Sequence, residues 1–318
     1  RPPRSTLFPY TTLFRSRLNS NTELVRFRLI RRFFVCELSA FVSDWWHSAL
    51  WSGLVGHNGE VSATSPSHHC DVWWASPALA SPELLGLLDE TERARHSRFR
   101  RSDDRDRYAV AHALARLLCA HAAGCDPREV VFHRRCGHCT RPEPHGKPHP
   151  GGPAAGWEIS ITHSGDRVGV ALTRGLPVGL DVEGITDRDL DGLASYALTA
   201  REHAAWRALD AADRAAGFFT YWARKEALLK ATGQGLAGGL TSVEVSPPDA
   251  AAALLAWHGP EAPTQVWLCD LDAGADYRAA LAVVSARPVT VAVHDASVLL
   301  NQSRQMFDSG SALLPNPR

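Results

Sequence analysis

The chain has 318 residues, enough for one large domain or two modest ones with a proper core. Its 34 basic and 34 acidic side chains cancel, and its 45% apolar and 21% charged content is that of an ordinary globular protein. This balance excludes a general nucleic-acid or membrane-surface binder and leaves only a local anion site open. Seven cysteines, an odd number spread over a long chain, point to free thiols in a reducing compartment, so the expected location is cytoplasmic.

At the N-terminus, TLFPYTTLFRS (6–16) resembles the conceptual translation of a sequencing-adapter oligonucleotide. Segment 17–64 mixes a Trp-rich patch (Trp45, Trp46, Trp51) with arginines and holds no sustained period of 2 or 3.6. Residues 1–64 are therefore expected to be a non-native or disordered leader and stay outside the fold reading. The apolar run Leu29–Val55 is interrupted by Arg31, Arg32, Glu37 and Asp44 and makes no spanning helix. The tail 298–318 has loop composition and is expected to be disordered.

Between these ends, CDVWWAS reads as a strand closed by Pro77. SPELLGLLDETERARHSRF reads as one helix, with Ser81 as cap, Pro82 in the first turn and Leu84, Leu85, Leu87 and Leu88 as its stripe. A second helix, about 103–123, turns Val110, Leu114, Leu117 and Leu118 to one face. Arg107 and Arg116 fall on its opposite faces and cannot easily serve one ligand. VVFHRRCGHCTRPEPHGKPHPGG then reads as a loop. Its Cys136 and Cys139 are half of a zinc site that histidines among His133, His138, His145 and His149 could complete; the plainer reading is a flexible loop with reduced thiols. WEISITHS and RVGVALTR are strands joined by a Ser-Gly-Asp turn, and LPVGLDVEGI is a third. A helix-rich stretch covers about 186–232, and VEVS, QVWLCDL and ALAVVSA are later strands. The fold class is α+β, with two strand-and-helix groups, 65–176 and 177–297, dividing near Gly175–Pro177.

Asp181 and Glu183 lie two apart on a strand and point to one face, where two anions repel unless a hard divalent cation joins them. Alone, the pair describes an exposed edge strand with solvated charges just as well. The helix ending at Gly233 adds a third carboxylate. Phe218, Trp222, Glu226 and Leu229 share a face, so Glu226 sits in an apolar stripe and needs a partner, for which Lys230 is one turn away. The plain alternative is a surface ion pair at the stripe's edge. Arg224 and Lys225 fall to either side. Three oxygen ligands with a lysine beside them suit phosphoryl transfer, in which a cation and an ammonium offset charge growing on phosphate oxygens.

GLDVEGI, followed some forty residues later by FFTYWARKEALLKATGQGL, resembles the paired signature of the Sfp-type 4′-phosphopantetheinyl transferases. TAREHAAWRAL resembles the family's linking helix around Glu202. HGKP (145–148), THSGD (162–166) and ETERARHSRF…DRDRYAVAHALARLLCA resemble family segments in the expected order, so the likeness spans about 71–290. The resemblance implies two similar α+β halves in one chain, a pseudo-dimeric fold with coenzyme A in the cleft between them. It implies transfer of 4′-phosphopantetheine from coenzyme A to a serine of an apo acyl or peptidyl carrier protein of secondary metabolism or fatty-acid synthesis. The other product would be adenosine 3′,5′-bisphosphate.

By the same resemblance Asp181, Glu183 and Glu226 would hold magnesium, or manganese, and Glu226 and Lys230 would be catalytic. Arg95, Arg107, Lys147, Thr162 and His163 would contact coenzyme A, with Arg93 a weaker candidate; Arg116 is left to packing or the half–half interface. A monomer is expected, with no nucleic-acid or membrane partner. Two departures stand out. The family's Asn-x-Ser-His-Ser run is Ser160-Ile161-Thr162-His163-Ser164 here, which keeps a hydroxyl donor at Thr162 but puts the Asn role in doubt at Ser160. An early family lysine falls on Glu92. Another magnesium-dependent reaction on coenzyme A, such as pyrophosphate-bond hydrolysis, and a non-catalytic coenzyme A-binding module are the alternatives. The presence of all three carboxylates and Lys230 argues against the second.

Overall fold

The computed structural model describes residues 68–134, 146–186, 190–235, 239–259 and 262–311. The first group of elements runs β1 (His69–Ala75), α1 (Pro82–Leu87), α2 (Glu90–Ser97), α3 (Ser102–Ala123), β2 (Val131–Arg134), β3 (Pro148–Gly151), β4 (Trp157–Ser164) and β5 (Arg167–Arg174). The second runs β6 (Val178–Gly184), α4 (Asp191–Ala197), α5 (Ala200–Arg207), α6 (Arg214–Thr232), β7 (Val243–Val245), β8 (Leu254–Trp257), β9 (Trp267–Leu271) and β10 (Tyr277–Val283). Element for element the order is the same, and so is the pairing. In each group the first strand lies antiparallel to the last, which lies antiparallel to the one before it: β1-β5-β4 and β6-β10-β9. β11 (Thr290–Asp295) then returns to lie parallel to β1, and α7 (Ser297–Ser311) follows it.

The two groups share a second device. α2 and α5 both start in capping boxes, Asp89 with Glu92 and Thr199 with Glu202, each satisfying two orphan N–H groups. Both glutamates then turn inward to the long helix. Glu92 accepts from Arg116 Nε at 2.7 Å and lies 2.8 Å from His112 Nδ1. Glu202 pairs with Lys225 and accepts the Val245 N–H at 2.8 Å. Both long helices stop at a left-handed glycine, Gly124 (φ 67°) and Gly233 (φ 76°), which removes the Cβ penalty at that cap. Val72, Val178, Leu180, Leu281 and Val283 belong to one core cluster linking β1, β6 and β10.

Several expectations need correction. The single helix over 81–99 is two helices, broken at Leu88–Asp89 because Asp89 caps the second; Ser81 occupies the cap position of the first without a side-chain bond. The segment taken as a loop has strands at both ends, β2 pairing β3 with His133 opposite His149. Cys136, Cys139, His138 and His145 lie outside the described residues, as does the leader 1–64. The tail is helical from Ser297 to Ser311, and it docks through buried Leu299 and Leu300 against α1. Among the described residues no helix is long and apolar enough to cross a membrane.

Candidate active site

The site starts from a glycine. Gly179 lies where α6 crosses β6, and a Cβ there would sit 1.9 Å from the Ala227 carbonyl oxygen and 2.4 Å from the Ala231 nitrogen. Only glycine allows backbone to approach backbone this closely. Glu226 and Lys230 each precede one of those alanines and are carried to the strand with them. Gly179, Asp181 and Glu183 alternate along one face of β6, so both carboxylates meet the same helix. The expected apolar stripe on α6 is wider than one face: the helix is buried all round from Gly217 to Leu229.

Lys230 Nζ donates to Asp181 Oδ1 at 2.6 Å, to the Leu180 carbonyl at 3.1 Å and to Thr162 Oγ1 at 3.3 Å. Helix spacing anticipated its influence on Glu226 but not this bond across to the strand. Asp181 is 4% exposed, and its Oδ2 is buried with no hydrogen-bond partner. Glu183 accepts the Ser164 hydroxyl at 3.3 Å. Burial raises the Asp181 carboxyl, against the pull of Lys230. Burial and then the Asp181 charge hold Glu183 well above the usual carboxylate range. Glu226 is pushed up to about 7 by burial and by Asp181, with Lys230 opposing. His163, beside them at the end of β4, is pushed down to about 3 by burial and by the charges of Arg107, Lys230 and His112, so its imidazole is neutral near pH 7.

The model of one protein family, the 4′-phosphopantetheinyl transferase superfamily, matches residues 177–282, which hold Asp181, Glu183, Glu226 and Lys230. The 4′-phosphopantetheinyl transferase HetI of Nostoc is 30% identical over 167 residues, 52% of this chain and 67% of that protein. The 4′-phosphopantetheinyl transferase psf-1 of Bacillus pumilus is 30% identical over 190 residues, 60% of this chain and 77% of that protein. A Bacillus subtilis 4′-phosphopantetheinyl transferase is 26% identical over 220 residues, 68% and 91% of the two chains. The chain belongs to the 4′-phosphopantetheinyl transferase superfamily.

Arg107 donates to the Gly165 carbonyl at 2.8 Å and to Asp104 at 2.6 Å, so it reaches the turn that follows His163. Tyr277 holds the same turn from β10, accepting the Asp166 N–H at 3.1 Å. Arg95 is half-buried on α2, and its charge acts on His112. Arg93 donates to the Leu88 carbonyl. Lys147 is buried and already engaged: it donates to the Val178 carbonyl at 3.0 Å and the Ala231 carbonyl at 3.3 Å, and pairs with Glu158 at 3.2 Å. A coenzyme phosphate would have to compete with Glu158 for it. Thr162 is 2% exposed, its oxygen accepting the Val182 N–H at 3.1 Å and its proton given to Asp181 Oδ1 at 3.2 Å. Arg116, 1% exposed, is a packing residue, bonded to Glu92 and to the Val130 carbonyl at 2.7 Å. Arg224 and Lys225 are fully buried and serve Asp270 and Glu202, not the site.

The carboxylates suit a hard divalent cation in chemistry: one orphaned buried oxygen on Asp181, whose charge raises both Glu183 and Glu226. They are not drawn together as ligands. Among the described residues no three His, Cys, Asp or Glu side chains are arranged to hold a metal ion. One Asp181 oxygen is committed to Lys230 instead. Sequence reading missed Gly179 and the hydroxyls of Ser160 and Ser164. The available signals were a glycine two residues before an acidic pair and a Ser-x-Thr-x-Ser alternation on the preceding strand.

Proposed function

We propose that the chain transfers the 4′-phosphopantetheinyl group of coenzyme A to a serine hydroxyl of an apo carrier protein, as an Sfp-type transferase. The observation that carries this is the Lys230–Asp181 pair beside the buried Glu226 carboxyl, in a segment matching the superfamily. Glu226 takes the proton of the carrier serine as its Oγ bonds the phosphorus. The bond from that phosphorus to the oxygen of adenosine 3′,5′-bisphosphate breaks, and the departing phosphate keeps the electron pair as negative charge. Lys230 offsets charge on the phosphate oxygens, and neutral His163 donates a hydrogen bond to a coenzyme phosphate, with Arg107 beside it.

Mg²⁺ or Mn²⁺, held by carboxylate oxygens of Asp181, Glu183 and Glu226, would supply neutralisation of the diphosphate. The matched order of the two element groups supports a pseudo-dimeric fold with coenzyme A between the halves. Free thiols at Cys70, Cys119, Cys125 and Cys269 support a cytoplasmic enzyme, which we take to act as a monomer on acyl or peptidyl carriers. The test is incubation with coenzyme A, Mg²⁺ and a panel of apo carrier proteins. Adenosine 3′,5′-bisphosphate should appear in step with carrier modification; hydrolysis of coenzyme A without carrier modification would overturn the reading.

A further inference from the structure

Among the described residues β6 pairs with one strand, β10. Its other edge faces β4 and is satisfied by side chains. The N–H groups of Leu180, Val182 and Gly184 donate to the hydroxyls of Ser160 (2.9 Å), Thr162 (3.1 Å) and Ser164 (3.1 Å). These three alternate residues share one face of β4, so their spacing matches the amide spacing of the edge they serve. Two carbonyls of that edge go to lysines, Val178 to Lys147 at 3.0 Å and Leu180 to Lys230 at 3.1 Å. A buried strand edge without partners would leave each group at full desolvation cost.

The hydroxyls have a second task. A hydroxyl carries one proton beyond the bonds it accepts. Thr162 gives its proton to Asp181 Oδ1 at 3.2 Å, and Ser164 gives its proton to Glu183 Oε2 at 3.3 Å. We propose that Ser160, Thr162 and Ser164 are positioning residues of this transferase: they stand in for a missing strand and, through Thr162 and Ser164, aim the two carboxylates. Thr162 is thereby assigned to Asp181, not to a coenzyme phosphate, because its single proton cannot serve both. The effect on turnover rests on the transferase reading; the seam does not.

The test uses the full chain with Thr162→Val, Thr162→Ser and Ser164→Ala. In ligand-free protein, Thr162→Val should speed hydrogen exchange of the Val182 amide about tenfold, the loss of one hydrogen bond, while Asp181 and Glu183, which face β10, keep theirs. Thr162→Ser should restore protection. In carrier modification, Thr162→Val and Ser164→Ala should lower kcat on the order of 10–100-fold with KM for coenzyme A within about twofold, and Thr162→Ser should recover most of kcat. Unchanged Val182 protection in Thr162→Val, or a raised KM with kcat intact, overturns the assignment. If Thr162→Val does not fold, Ser164→Ala at the strand end gives the same reading on the Gly184 amide. A wild-type chain that modifies no carrier but shows these exchange changes would sink the transferase reading and leave the seam standing.

Discussion

Gly179→Ala is the smallest change that reaches the whole site. The added methyl would lie 1.9 Å from the Ala227 carbonyl oxygen, 2.4 Å from the Ala231 nitrogen and 2.9 Å from the Ala227 carbonyl carbon. All three are backbone atoms, so no rotamer change relieves the overlap. Helix Arg214–Thr232 and strand Val178–Gly184 must part by roughly 1 Å, a distance a close-packed interior does not absorb locally. Overpacking of this kind costs about 1–3 kcal/mol. Glu226 and Lys230 travel with the helix, and a displacement of that size near a reacting centre costs on the order of 100-fold in rate. Thermal melting and intact-mass kinetics on the same preparation read both numbers. A variant with wild-type melting temperature and near-wild-type kcat would refute the claim that backbone contact at Gly179 sets the site.

Other expectations follow from the buried charges. Glu202→Ala removes the ion-pair partner of fully buried Lys225 together with a capping box, and should cost about 3–5 kcal/mol in a denaturant titration. A loss below about 1 kcal/mol would contradict the pairing. Glu226 binds its proton more tightly when folded, at about 7, than the ordinary 4.5 of an open chain. Its contribution to the ligand-free protein is therefore complete below about 4.5, fades as pH rises and is gone above about 7, a change on the order of 3 kcal/mol. Glu226→Gln should flatten that part of the stability–pH curve between pH 4 and 8 in chelator; an identical slope would show that Glu226 titrates normally.

The elements that sequence reading found are those whose signals are local. The alternation in WEISITHS and RVGVALTR, the acidic pair in GLDVEGI and the long helix ending at Gly233 all carry their own period or cap, and each stands where it was expected. The break at Asp89 was equally local and was overridden by the leucine-rich stripe before it, although Asp89–Glu92 spells a capping box. Other features depend on partners far along the chain. β11 gains its meaning only beside β1, more than two hundred residues earlier, and Leu299 and Leu300 become a docking pair only against α1. Lys230 was paired by helical spacing with Glu226, whereas its 2.6 Å bond crosses to a different strand. Thr162 was read as a free donor because a sequence does not show that both its bonding capacities are spent within the fold.

We propose that Asp181, Glu226 and Lys230 form one site and that this site performs the transfer. Intact-mass analysis of an apo carrier protein, incubated with coenzyme A and Mg²⁺ and either the wild-type chain, Asp181→Ala or Glu226→Ala, tests it in one experiment. The wild-type chain should convert the carrier to its phosphopantetheinylated mass, and each variant should melt cooperatively yet leave the carrier at its apo mass. Conversion by either variant at near-wild-type rate would contradict the account.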